Sequence, residues 1–346
     1  MTLATDFERR SLPLEYPFTI ARGTQTESAV VTVRVEADDG TIGVGGAAPS
    51  SHYGETVDTV TAVLPDLLAV VEDVGDPHQL ERIERRMRET VRRNPAARCA
   101  VSIALHDFVA KRLDLPLYRY WGLDPSESLE TSYTIGLDDT ETMREKTETA
   151  LDRGFSTLKV KLGTDRDVEI VETIRSVAPD VSLFVDANEA WTPREAVRKI
   201  DRLAAYDLAF VEQPVPAEDP AGLRYVYERA ALPIAADESC ETLSDIPQIA
   251  DRCDIANLKL MKCGGLREAK RMIHAARAHG LEVMCGCMTE SNASIAAACH
   301  LAPLLDYADL DGSLLLAEDP YDGVPMSGGE IDLAGLDRAG TGAVTE

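Results

Sequence analysis

Lysines are the residues best placed to do chemistry in this chain. Only eight occur in 346 residues, and four fall in two short strings, Lys159-Val160-Lys161 and Lys259-Leu260-Met261-Lys262. Between the strings lie three acids, Asp186, Glu212 and Asp237, each closing an apolar, strand-like run and spaced 26 and 25 residues apart. Taken singly, such an acid reads as a solvated strand end or a helix cap. Three at corresponding positions read as a metal site, and hard oxygen donors without histidine or cysteine favour Mg²⁺ over Zn²⁺. A cation that binds both oxygens of a substrate carboxylate stabilises the enediolate formed when the neighbouring carbon loses its proton. The field of that cation, with Lys159 or Lys262 adjacent, is expected to lower the pKa of a catalytic lysine until it is neutral and able to accept a proton.

These residues need elements to hold them in place. From about residue 130 apolar strands near 131–136, 156–161, 181–186, 208–212, 233–237, 254–259, 281–286 and 307–311 alternate with amphipathic helical stretches near 139–153, 165–178, 193–206, 219–231, 243–251, 265–279 and 290–304. That grammar predicts a parallel α/β barrel whose active site lies at the C-terminal strand ends. Lys159 and Lys161 then fall on strand two, Asp186, Glu212 and Asp237 on strands three to five, Lys259 on strand six, and Asp309 and Asp311 on strand eight. Strands two and six face each other across a ring of eight, so amines reach in from opposite walls with the acids on the arc between them. One amine on each face permits proton removal from one side and return from the other, which is epimerisation.

Before the barrel, alternating strands at 17–21, 29–35 and 41–45 and helical periodicity over 56–74, 77–93 and 96–113 predict an α+β domain. The expected division is 1–125 for that domain, 126–318 for the barrel, and 319–346 for a Gly- and Pro-rich tail returning to the first domain.

Thirty-five basic against 60 acidic residues give a net charge of −25, which opposes binding to nucleic acid or to an anionic membrane. Acid spread over every segment, with arginine replacing lysine, resembles a cytosolic protein from a high-salt organism, where salt screens self-repulsion. The seven cysteines, Cys99, Cys240, Cys253, Cys263, Cys285, Cys287 and Cys299, form no zinc-ligand spacing and read as reduced thiols. The N-terminus lacks an apolar signal core, and no apolar run reaches about 18 residues. The expectation is a cytoplasmic homo-oligomer acting on a small molecule.

The strings Thr157-Leu-Lys-Val-Lys161, Val185-Asp-Ala-Asn188, Val211-Glu-Gln-Pro214, Ala236-Asp-Glu-Ser239 and Asn257-Leu-Lys-Leu-Met-Lys-Cys-Gly-Gly265 resemble the enolase superfamily, in its muconate-lactonizing-enzyme subgroup. The resemblance implies a capping domain over a modified (β/α)7β barrel, Mg²⁺ on Asp186, Glu212 and Asp237, and acid/base roles for Lys161 and Lys259. It makes Lys159 a neutraliser of the substrate carboxylate and Lys262 a neighbour rather than a base. Asn188 and Glu238 become supports behind the ligands. Strand seven, Glu282-Val-Met-Cys-Gly-Cys-Met-Thr-Glu290, lacks the catalytic histidine of the mandelate-racemase branch.

Asp309-Leu310-Asp311 resembles the pair with which dipeptide epimerases bind the free α-ammonium of the substrate, against the simpler reading of a solvated acidic pair. Thr134, Cys287 and Thr289 match positions lining the dipeptide, Cys287 through its backbone. Arg22, in a capping loop, is positioned to pair with an acidic side chain such as the Glu of Ala-Glu, rather than standing as an ordinary surface arginine. His52 and Tyr53 lie in a stretch resembling a second capping loop. The alternatives are a dehydratase of the o-succinylbenzoate synthase kind or a cycloisomerase using the same metal and lysines, and a Schiff-base aldolase with Lys259 as nucleophile. Two anions on strand eight would repel a second substrate carboxylate there, which favours the dipeptide.

Overall fold

The computed structural model describes residues 3–345. The chain opens with a three-stranded antiparallel sheet, β1 (Leu3–Ile20), β2 (Gly23–Ala37) and β3 (Ile42–Ala47), followed by helices α1 (Val57–Val74), α2 (Leu80–Thr90), α3 (Pro95–Arg112) and α4 (Leu117–Tyr120). On β2 and β3 the inward residues Val31, Val33, Val35 and Ala47 are buried, and α3 lies directly over them. A Cβ on Gly43 or Gly45 would stand 2.1 Å from the Ala104 or Ala100 carbonyl oxygen, so glycine alone allows this approach.

The barrel follows as β4 (Tyr133–Ile135), α5 (Thr140–Asp152), β5 (Thr157–Lys161), α6 (Asp167–Val177), β6 (Ser182–Asp186), α7 (Pro193–Leu203), β7 (Val211–Glu212), α8 (Pro220–Tyr227), β8 (Ile234–Ala236) and α9 (Ile246–Ile249). It continues through β9 (Ile255–Lys259), α10 (Leu260–Cys263), α11 (Leu266–Ala278), β10 (Glu282–Gly286), α12 (Asn292–Cys299) and β11 (Tyr307–Asp309). The eight strands pair in parallel in chain order. A bridge between Thr131 and Ala308, with Ser132 N donating to Ala308 O at 3.0 Å, joins the two ends of the sheet. The fold is therefore the expected α/β barrel with an antiparallel capping sheet.

Several boundaries differ from the sequence reading. β1 begins at Leu3 rather than near 17, because cross-strand pairing with β2 holds it while most of its side chains are exposed. The helices expected at 219–231, 243–251 and 290–304 shorten to α8, the single turn α9, and α12. The unpredicted turn α10 carries Lys262. No helix follows β11 among the described residues; the tail forms short strands β12 (Tyr321–Asp322), β13 (Met326–Ser327), β14 (Glu330–Ile331) and β15 (Val344–Thr345). Buried Asp107 on α3 ties the tail in, accepting from Thr341 N at 2.7 Å and from Val44 N at 2.9 Å. No helix is long and apolar enough to cross a membrane among the described residues. All seven cysteines are free.

Candidate active site

Strand register sets the site. Lys161 is the Cα partner of Asp186, and Asp186 that of Glu212, so three consecutive strand ends form one row. Asp237 follows β8 directly, and Lys259 ends β9, four strands around the ring from β5. Gly286 on β10 pairs with Lys259, and a Cβ there would lie 3.0 Å from Lys259 Cε, so the glycine leaves room for the lysine side chain.

The carboxylates and amines interlock. Lys161 Nζ lies 2.6 Å from Asp186 Oδ2, and Lys259 Nζ lies 2.8 Å from Asp237 Oδ2. Lys159 Nζ stands among Asp309 Oδ2 at 2.7 Å, Glu212 Oε2 at 2.8 Å and Asp186 Oδ2 at 3.3 Å. Lys262 is wholly buried behind Asp237, reaching its Oδ1 at 2.5 Å and its carbonyl at 2.6 Å. Asn188 Nδ2 donates to Asp186 Oδ2 at 3.1 Å, and its amide N to Asp186 Oδ1 at 2.8 Å.

The electrostatics follow from this crowding. Burial raises the Asp186 carboxyl, but Lys161 and Lys159 pull it down to about 2. Asp237 is likewise driven low, burial being overcome by Lys259 and Lys262. Glu212 goes the other way, to about 8, through burial and then the Asp186 charge. Burial depresses the Lys259 amine, yet Asp237, Glu212 and Glu238 outweigh it and hold the group above the usual lysine range. The lowered pKa expected from the sequence belongs to a site in which a cation neutralises these same carboxylates.

Three buried carboxylates on adjacent strands are the donor type a hard divalent cation takes, but with lysine amines standing between them their oxygens do not all come within 4.8 Å of one another. Glu212 Oε2 is buried without a hydrogen-bond partner, although Lys159 lies at ion-pair distance, and lysine amines occupy the space between the acids. A separate trio, His52, Glu189 and Glu238, brings ligand atoms within 4.8 Å of one another. Arg22 already fills that cluster, with Nη1 3.1 Å from Glu189 Oε2 and Nη2 2.8 Å from Glu238 Oε1.

A cavity of about 710 Å³ lies over the row, lined by Lys159, Lys161, Lys259, Asn188, Thr134, Asp309, Asp311, Cys287, Thr289 and Arg22. The three acids lie beneath it, each essentially without exposure. On β11 the two aspartates diverge. Asp309 is committed to Lys159 and accepts from Ser132 Oγ at 2.8 Å, and the Lys159 and Lys161 amines hold its carboxyl low against burial. Asp311 Oδ2 accepts from Thr134 N at 2.6 Å, while burial and the Asp309 charge push it up to about 7. Thr289 joins cap to barrel, its Oγ1 accepting from Gln25 Nε2 at 2.9 Å and its carbonyl from Ser28 Oγ at 2.5 Å.

Two family models span this architecture. The N-terminal domain of mandelate racemase / muconate lactonizing enzyme matches residues 4–122, and the enolase C-terminal domain-like model matches residues 142–341. The chain belongs to the mandelate racemase/muconate lactonizing enzyme family. Its relatives in this family include the L-Ala-D/L-Glu epimerase of Bacteroides thetaiotaomicron, 40% identical over 330 residues covering 95% of this chain and 85% of that protein. A hydrophobic dipeptide epimerase of Enterococcus faecalis is 36% identical over 328 residues, 90% of each chain. The crystal structure of dipeptide epimerase from Enterococcus faecalis, complexed with Mg and dipeptide L-Leu-L-Tyr, superposes with a TM-score of 0.92 and 33% identity over 100% of both chains.

Sequence reasoning missed several residues that this family member brings to the site. Asn257 Nδ2 donates to Glu212 Oε1 at 2.8 Å; a polar residue two positions before Lys259, on the same strand face, was the available signal. Gln213 Oε1 accepts from Asp237 N at 2.9 Å and Ser239 N at 3.1 Å, linking the segments that carry Glu212 and Asp237 from within a motif already singled out. Glu189 follows Asn188 and gave no signal of its own in an acid-rich chain.

Proposed function

We propose that the protein is a Mg²⁺-dependent dipeptide epimerase that inverts the α-carbon of the C-terminal residue by 1,1-proton transfer between two lysines. The observation that carries this reading is the placing of Lys161 and Lys259 on opposite walls of one cavity, each paired with a different acid of the buried row. Asp186, Glu212 and Asp237 would hold the ion, and Mg²⁺ when bound supplies a Lewis acid for the substrate carboxylate and a counter-charge for the three acids. Lys161 and Lys259 divide the proton work, one taking the α-proton while the other donates to the opposite face. Lys159 adds positive charge beside the substrate carboxylate. Lys262 fixes Asp237, and Asn188 and Glu238 support the ligand loops.

At the far end Asp311 offers its carboxylate to the dipeptide ammonium, and Asp309 strengthens the local negative field while anchoring Lys159. Thr134, Cys287 and Thr289 line the intervening wall, and Arg22 faces the side chain of the epimerised residue. In this reading residues 1–125 and 319–346 form the cap over the barrel of 126–318. Curated relatives that are dipeptide epimerases at 36–40% identity support it.

The test is a dipeptide library incubated with the enzyme and Mg²⁺ in D₂O. The expected result is deuterium at the α-carbon of the C-terminal residue of at least one dipeptide, lost with EDTA and restored by Mg²⁺. Absence of exchange across the library, or exchange indifferent to chelation, refutes the reading.

A further inference from the structure

Arg22 sits at the tip of the β1–β2 hairpin, and its charge is met within the chain. Besides Glu238 and Glu189 it donates from Nη1 to Asn188 O at 3.2 Å. Glu189 is built into its place. It occupies a left-handed turn with φ of 69°, its amide N donates to Gln213 O at 2.9 Å, and its Oε1 accepts from Ala217 N at 2.8 Å. That leaves Oε2 for the cap, where it meets Arg22 and lies 3.2 Å from His52 Nε2. The Glu189 side chain is only 11% exposed, against 31% for Arg22, so the pair is partly shielded from solvent screening.

With the substrate carboxylate over the acid row and its ammonium at Asp311, the side chain of the epimerised residue extends toward the Arg22 end of the cavity. An acidic side chain must then compete with Glu189 Oε2 for Nη1, whereas an uncharged side chain leaves that pair intact. We propose that Glu189 is a positioning residue that sets the discrimination between acidic and uncharged C-terminal side chains, by competing with the substrate for the Arg22 guanidinium. The proposal rests on the epimerase reading above. It adds a specificity element on the barrel side of the cap, where charge competition rather than pocket shape decides the outcome.

The probes are L-Ala-L-Glu and L-Ala-L-Gln, which differ in charge and hardly in shape. Glu189→Gln keeps an oxygen for Ala217 N and removes the charge facing Arg22. The expected result is a rise of about fivefold in the Glu/Gln ratio of kcat/KM relative to wild type. Damage to the fold lowers both substrates together and leaves the ratio unmoved. Glu189→Asp, which retracts the carboxylate but retains its charge, is expected to shift the ratio less and in the same direction. An unchanged or lowered ratio in Glu189→Gln overturns the proposal. If the wild type exchanges no dipeptide, the epimerase reading fails instead; calorimetric dissociation constants for the two probes then decide the proposal, an equal ratio in wild type and variant overturning it. Binding of neither probe overturns both.

Discussion

Lys161 and Lys259 were legible because lysine is scarce here and because the side-chain period of two on a strand fixes which face each residue takes. The acids were legible from near-equal spacing, 26 and 25 residues, at the ends of apolar runs. What the sequence could not convey is how the residues satisfy one another: Lys159 bound by three carboxylates, Asp309 committed to Lys159, and Asp311 left with a single backbone donor. Lys161→Ala and Lys259→Ala are each expected to lower epimerisation by about 10²- to 10⁴-fold, the usual worth of a positioned acid or base, with far-UV circular dichroism unchanged. In D₂O the lysine that remains should still exchange the α-proton of the one epimer facing it, with retention; full turnover in both directions by either variant contradicts the assignment. Asp311→Asn should raise KM by about tenfold with little change in kcat, since it removes one charge from an ion pair with the ammonium. Steady-state kinetics on the best dipeptide decide this, and unchanged constants remove Asp311 from the binding site.

The order of strands and helices was readable from alternating periodicities, whereas element lengths were not. Residues 3–16 carry charged side chains on both faces, so no apolar alternation marks the strand that cross-strand pairing creates. Helix α3 shows a different dependence on context. Its N-cap Asn94 makes no side-chain cap bond, and Glu55 supplies the acceptor from another loop, taking Ala96 N at 3.1 and 3.2 Å. Glu55→Ala should therefore cost about 1–2 kcal/mol of stability, measured by urea unfolding. Burial raises the Glu55 carboxyl from 4.5 to about 7 despite the Ala96 bond. The folded state holds this proton more tightly than the unfolded one, so its stabilising contribution is complete below pH 4.5 and lost as pH rises through 7. Wild type should lose stability relative to Glu55→Gln across that window, and parallel pH profiles for the two proteins contradict the account.

At the scale of the molecule, a charge of −25 makes the folded state repel itself, and salt should relieve that repulsion. The melting temperature is expected to rise by about 5 °C or more between low and molar KCl; a fall on adding salt contradicts the self-repulsion argument. In the proposed reading the architecture serves one arrangement, a cap over a barrel so that two amines address opposite faces of one carbon. The most direct measurement is the isotopic content of the first product formed from a protiated L,L-dipeptide in D₂O with Mg²⁺, analysed by NMR before significant conversion. Two opposed lysines predict an L,D-product carrying solvent deuterium at the C-terminal α-carbon from the first turnovers. A product that retains the substrate's own α-proton would mean that a single base carries hydrogen from one face to the other, and would contradict the account.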